Sequence, residues 1–80
     1  MTIGEAAVCR IKDLCAKHHI TINKLSTLSG ITQSTLNNII SGRNHSTTIS
    51  TIKKICDGLE ISIKDFFDSP LFENLEQEVK

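Results

Sequence analysis

Gly30 and Thr32 stand two residues apart between two stretches of helical periodicity. That closeness constrains the fold more than any other feature of the chain. Glycine takes the left-handed conformation that ends a helix without steric penalty. Threonine caps the first turn of a following helix through its side-chain oxygen. A stop and a start so close leave no room for a long connection, so two short helices must meet across a tight turn. Upstream, Thr21 is an N-cap with Lys24 at the third helical position, and Leu25 and Leu28 are the apolar positions of a helix that Gly30 ends. Downstream, residues 33 to 41 form a helix with Leu36, Ile39 and Ile40 facing inward, and Gly42 ends it.

The rest of the chain reads the same way. Val8, Ile11, Leu14 and Cys15 recur at helical spacing and predict a first helix over about residues 5 to 18. Thr48 or Ser50 caps a fourth helix whose apolar stripe is Ile49, Ile52, Ile55, Cys56 and Leu59. Ser62 caps a short fifth helix running through Phe67. No segment of useful length alternates with period two, so the fold class is all-α: five helices, plus a short C-terminal helical tail. The expected organisation is one domain over residues 1–69 and an acidic amphipathic tail over residues 70–80. After Pro70, Leu71, Phe72, Leu75 and Val79 form one apolar stripe if the tail is helical. Such a helix needs a surface to pack on. The two candidates are the chain's own core near Phe66 and Phe67, and a second copy of the protein. Dimerisation through the tail, together with helix five, is the expectation.

Composition narrows the function. With 39% hydrophobic and 22% charged residues in 80, the chain fits one small folded domain. No apolar run approaches the length of a membrane span, and the N-terminus lacks the cationic start and apolar core of a signal peptide, so a cytoplasmic protein is expected. Three cysteines without a Cys-x-x-Cys pair read as free thiols, with Cys15 and Cys56 acting as small core hydrophobes. His18, His19 and His45 match no ligand spacing, so no metal and no cofactor is expected. No Ser–His–acid arrangement or Gly-rich phosphate loop is present, and no enzyme activity is expected.

The zero net charge hides an asymmetry. Residues 1–56 hold seven basic side chains (Arg10, Lys12, Lys17, Lys24, Arg43, Lys53 and Lys54) and two acidic ones, whereas residues 57–80 hold seven acidic and two basic. A basic body with an acidic tail suggests one surface that faces a polyanion and another turned away from it.

Two short helices around a Gly-containing turn are the signature of a helix-turn-helix. Ser26, small and mid-way along the second helix, suits a close helix crossing. On the third helix, Ser34, Asn37, Asn38 and Ser41 fall on the face opposite the apolar one, with Gln33 and Thr35 flanking its first turn. Ser, Thr and Asn are indifferent helix formers, and an exposed helical face made of them in place of Glu and Lys is locally costly. Uncharged amides and hydroxyls are also the groups that read base edges: Gln and Asn pair bidentately with adenine, and Ser or Thr with several bases.

A family resemblance spans residues 8–67. It runs through Arg10-Ile11-Lys12-Asp13-Leu14, Thr21-Ile22-Asn23-Lys24-Leu25, the stretch from Gly30 to Leu36, then Ile39, Gly42 and Arg43. It closes with Thr51-Ile52-Lys53-Lys54-Ile55, Leu59 and the segment from Ser62 to Phe67. In order and spacing this resembles the lambda-repressor-like (Cro/XRE) helix-turn-helix domain. The resemblance implies a compact five-helix domain that binds double-stranded DNA, usually as a homodimer on a palindromic operator, and acts in transcription regulation. It implies base contacts from Gln33, Ser34 and Asn38, with Thr35 and Asn37 as further candidates. It implies phosphate contacts from Thr21, Asn23, Ser41, Arg43 and Asn44. The other reading on the same fold is a protein-interaction module or antitoxin with weak DNA binding. Ile22 stands where many members carry a phosphate-gripping Gln, and Glu60 where Gly usually ends the fourth helix. Cys15 and Ile40 occupy the places of an Arg–Glu pair common in the family. Both are apolar here, so packing is expected to replace the ion pair, with both residues buried and in or near contact.

Overall fold

The structure is a computed structural model that describes residues 1–42 and 47–79. Its α-helices, all opened by a hydroxyl residue, are α1 (Ile3–Lys17), α2 (Ile22–Ser29), α3 (Gln33–Ile40), α4 (Ile49–Leu59) and α5 (Ile63–Phe67). Thr2, Thr21, Thr32, Thr48 and Ser62 each accept a hydrogen bond from the amide three residues on. Each such cap satisfies a helix-end N–H that would otherwise be orphaned, worth about 1 kcal/mol. At α1 the cap is a full capping box: Thr2 N–H also donates to Glu5 Oε1 at 2.9 Å. The helix therefore begins two residues before the start predicted at residue 5, because Thr2-x-x-Glu5 is itself a start signal.

The helices enclose one core. Ile11, Leu25, Leu36, Ile55 and Phe66 are fully buried within it. Gly30 ends α2 with φ 70°, ψ 20°, the left-handed stop that the turn requires. Glu60 ends α4 in the same region, with φ 59° and ψ 42°, a conformation that glycine adopts without strain and glutamate does not. Cys15 is buried and Ile40 packs half-buried against the same cluster, so both sites of the expected apolar replacement do contribute to the core. Burial pushes the Cys15 thiol above its ordinary pKa.

Two expected core positions lie outside it. Leu28 is 43% exposed and Ile49 is 82% exposed. Ile49 is the first residue of α4, ahead of the turn where α4 meets the core, so its place in the period does not bring it inward.

The C-terminal tail also departs from expectation. It forms a single 3-10 turn over Pro70–Phe72, not a ten-residue helix. Proline sets the first turn, but Asn74, with φ 57°, breaks helical continuation at once. The apolar stripe is therefore split. Phe72 packs on the chain's own aromatic cluster, 4.8 Å from the Phe67 ring and 6.1 Å from the Phe66 ring, while Val79 is left in solvent. The Glu76 amide donates to the Met1 carbonyl at 3.1 Å, and the Met1 ammonium lies 3.4 Å from the Glu76 carboxylate. The tail is thus folded back on the start of α1 of the same chain.

The approach of α4 to α2 is set by Gly58. A Cβ there would lie 2.9 Å from both the carbonyl carbon and the oxygen of Leu28, and 3.0 Å from Ser29 Cα. These are backbone atoms of α2 and cannot swing aside. Gly58→Ala, which in an open helix gains about 1 kcal/mol, is therefore expected to destabilise the domain by about 1–3 kcal/mol. Urea unfolding checks the sign, and a stabilised variant would disprove the close contact.

Candidate nucleic-acid interface

The turn between α2 and α3 is fixed from inside. The buried Ser26 hydroxyl donates to the Ile31 carbonyl, and Ser29 Oγ donates back to the Leu25 carbonyl at 2.7 Å. Leu25, Ile31 and Leu36 close the crossing with apolar contacts. Ser26 thus does more than leave room for the crossing: its hydroxyl satisfies a buried carbonyl in the turn.

A rigid crossing presents α3 by its outer face. At 3.6 residues per turn, Gln33 and Asn37 share one row, and Ser34, Asn38 and Ser41 the adjacent one. Gln33, Ser34, Asn37 and Ser41 are exposed and Asn38 is half-buried, while Leu36 and Ile39 on the other side are buried. The helix carries no charged side chain. Thr35 lies at the edge of this face. Its amide donates to Thr32 Oγ1 at 3.2 Å, and its hydroxyl accepts from Thr32 Oγ1 at 2.9 Å. Ser41 Oγ is turned back to the Asn38 carbonyl at 3.1 Å. The side chains expected to read bases therefore share one face, with Thr35 at its rim.

The residues expected to hold phosphate are on separate elements. Thr21 caps α2, its oxygen accepting from the Lys24 amide at 3.0 Å, and Asn23 is exposed in the same first turn. Arg43 and Asn44 lie outside the described residues. The first turns of α2, α3 and α4 contain no acidic residue, whereas those of α1 and α5 contain Glu5 and Asp65. A helix N-terminus is electropositive, and a carboxylate there would cancel the field that attracts an anion. Sequence reasoning treated Thr48 only as a cap. In fact α4 repeats the α3 arrangement, with Thr48 and Thr51 hydroxyls 2.9 Å apart where a capping box would hold Glu.

The basic body is smaller than the sequence suggested. Arg10, counted there as a surface cation, is only 6% exposed. Its Nε donates to the Phe66 carbonyl at 2.7 Å, one terminal nitrogen to the Asp65 carbonyl at 2.8 Å, and the other to Asp13 at 3.0 Å. Lys17 faces Asp13 at 3.4 Å, and Lys53 pairs with Asp57. A buried guanidinium cannot meet phosphate, so Arg10 serves the fold.

Comparison with known proteins agrees with the fold. Residues 10–70 match the sequence pattern of the Cro/C1-type HTH DNA-binding domain. The chain belongs to that family. One relative is the SPbeta prophage-derived uncharacterized HTH-type transcriptional regulator YopS of Bacillus subtilis (strain 168), 33% identical over 64 residues, which cover 80% of this chain and 86% of the relative. Among solved structures, that of the prophage Lp1 protein 11 superposes with a TM-score of 0.79 at 43% identity, covering 88% of this chain and 92% of that one. The five-helix Cro/C1 architecture accounts for the α2–turn–α3 unit and for the family match reaching into α5 and Pro70. No described helix is long and apolar enough to cross a membrane.

Proposed function

We propose that this Cro/C1-type chain is a sequence-specific DNA-binding transcriptional regulator without catalytic activity. Its α3 lies in the major groove of a palindromic operator, and two copies occupy the two half-sites. The observation that carries the reading is the outer face of α3, where neutral amides and hydroxyls project from a helix locked by its neighbours. Gln33, Ser34 and Asn38 contact base edges, with Thr35 and Asn37 at the margins. Thr21 and Asn23 on α2, and Ser41 after α3, hold phosphates, as do Arg43 and Asn44, which follow in sequence. Phosphate contacts set the register, and base contacts select the sequence. A single chain measures 38 × 24 × 20 Å, so two side by side are on the scale of the ~34 Å between successive major-groove faces.

Selection of bound sequences from a random duplex pool tests this reading. An enriched palindrome is expected. On the selected site, Gln33→Ala is expected to erase about 1–3 kcal/mol of preference at one base pair in each half-site and leave the other positions alone. An unchanged sequence preference would remove Gln33 from the readout.

A further inference from the structure

Serine is a poorer helix former than alanine, and a buried hydroxyl needs a hydrogen bond to offset its lost hydration. Ser26 is only 7% exposed in the middle of α2, where the crossing requires no more than a small side chain. Alanine would fit the crossing as well and favour the helix more. What serine adds is the bond its hydroxyl makes, and that bond leaves α2. It ends on the carbonyl of Ile31, beyond the left-handed Gly30. Ser29, the other buried serine of α2, differs: its hydroxyl donates to the Leu25 and Ser26 carbonyls, both within α2. The Ile31 carbonyl belongs to the peptide plane that leads into Thr32, the N-cap of α3. Holding that carbonyl fixes the plane, and with it the direction in which α3 departs. The anchor is itself backed by α4, since Leu28 and Ser29 lie so close to Gly58 that no Cβ fits between. Leu36 and Ile39 seat α3 on the core through apolar contacts, which are non-directional and leave the angle to the hydrogen bond.

We propose that Ser26 is a positioning residue for base recognition, setting through the Ile31 carbonyl the angle at which α3 leaves the turn. The proposal rests on the DNA-binding reading above, in which α3 reads the bases. A lever argument gives it a signature. At a rise of about 1.5 Å per residue, Gln33 lies ~1.5 Å along the helix from a pivot at Thr32, and Asn38 lies ~9 Å from it. A tilt of about 10° then moves the backbone at Asn38 by roughly 1.6 Å, and at Gln33 by roughly 0.3 Å. A positioned contact tolerates a displacement of only about 0.5 Å. Loss of the bond therefore spoils the far reading side chain and spares the near one. Phosphate contacts from α2, on the anchored side of the turn, are spared as well.

Ser26→Ala and Ser29→Ala, each losing one buried hydroxyl of α2, test the proposal in the full chain. The readout is the ratio of affinity for the selected operator to affinity for random duplex at the same salt. An unfolded fraction lowers both affinities alike and cancels. Ser26→Ala is expected to lower the ratio about tenfold, with the loss concentrated at the base pair read by Asn38 and little of it at that read by Gln33. Ser29→Ala is expected to keep the wild-type ratio. A Ser26→Ala chain that keeps the ratio, or whose preference fades evenly at every position, would overturn the proposal. Hydrogen exchange without DNA keeps the two readings apart. The Thr35 and Leu36 amides both bond to Thr32. Relative to the amides of α4, they are expected to exchange at least about fivefold faster in Ser26→Ala than in Ser29→Ala. That acceleration in a chain that ignores every duplex sinks the DNA reading alone and leaves Ser26 setting α3. Unchanged exchange in a chain that selects an operator sinks the positioning role alone.

Discussion

Arg10→Met is expected to lower the unfolding free energy by about 2–5 kcal/mol, because two backbone carbonyls lose a charged donor. A domain of this size has only about 5–10 kcal/mol in total, so the variant sits near the edge of folding. The reason lies in what Arg10 holds. Its fork satisfies the carbonyls of Asp65 and Phe66, at the end of a five-residue helix too short to be stable alone. Without the guanidinium those carbonyls lose their partner, at about 1–3 kcal/mol for each one left buried. The released α5 carries Phe66, a fully buried core residue. Arg10→Lys keeps the charge but has a single nitrogen in place of the planar fork whose separate nitrogens reach the two carbonyls, and falls between the two. Urea unfolding followed by far-UV circular dichroism measures all three proteins. A loss below about 1 kcal/mol for Arg10→Met would mean that α5 is held by its apolar contacts alone.

Arg10 also marks the boundary of what the sequence makes legible. The helices were readable because apolar spacing marks α1 to α4 and a Ser or Thr cap opens α2 to α5, with Gly30 and Gly42 as stops. The start of α1 was missed because Thr2 was not read as a cap, and α4 ends at Glu60 without a glycine. The crossing of α2 and α3 was readable because Gly30 and Thr32 are close neighbours in the chain. The partners of Arg10 are 55 and 56 positions away, and backbone carbonyls leave no trace in a side-chain pattern. The close contact of Gly58 with Leu28 is invisible for the same reason. Ile49 and Leu28 fit the apolar period yet face solvent, because periodicity says which residues share a face and not which stretch of that face is covered. In the tail, the spacing of Leu71, Phe72, Leu75 and Val79 suited a helix. There, the left-handed Asn74 and the packing of Phe72 on Phe66 and Phe67 won over that weak local pattern. The outer face of α3 was legible for the opposite reason: its amides and hydroxyls are poor choices for helix stability, and that misfit is visible residue by residue.

The same misfit makes Thr35→Glu expected to improve the fold and abolish the function together. At α1, Thr2 and Glu5 form a reciprocal capping box, with hydrogen bonds of 3.1 Å and 2.9 Å. At α3 the corresponding pair is Thr32 and Thr35, whose hydroxyls bond each other and leave the first turn uncharged. Glutamate at position 35 completes the box, and its charge suits the electropositive helix end. A stability gain of about 0.5–1 kcal/mol is expected. In the proposed complex that carboxylate would stand among the base-reading side chains Gln33 and Ser34, within the negative field of the DNA. Like charges brought together on docking cost several kcal/mol, so operator affinity is expected to fall by about 100-fold or more. Thr35→Gln separates the causes, since glutamine can close the same box without charge. It is expected to keep most of the affinity and to shift preference only at a base pair near Thr35. Thermal unfolding and operator titration on the three proteins provide the check. A more stable Thr35→Glu chain that binds like the wild type would place the start of α3 away from the DNA, and with it the assignment of Gln33 and Ser34 to the base edges.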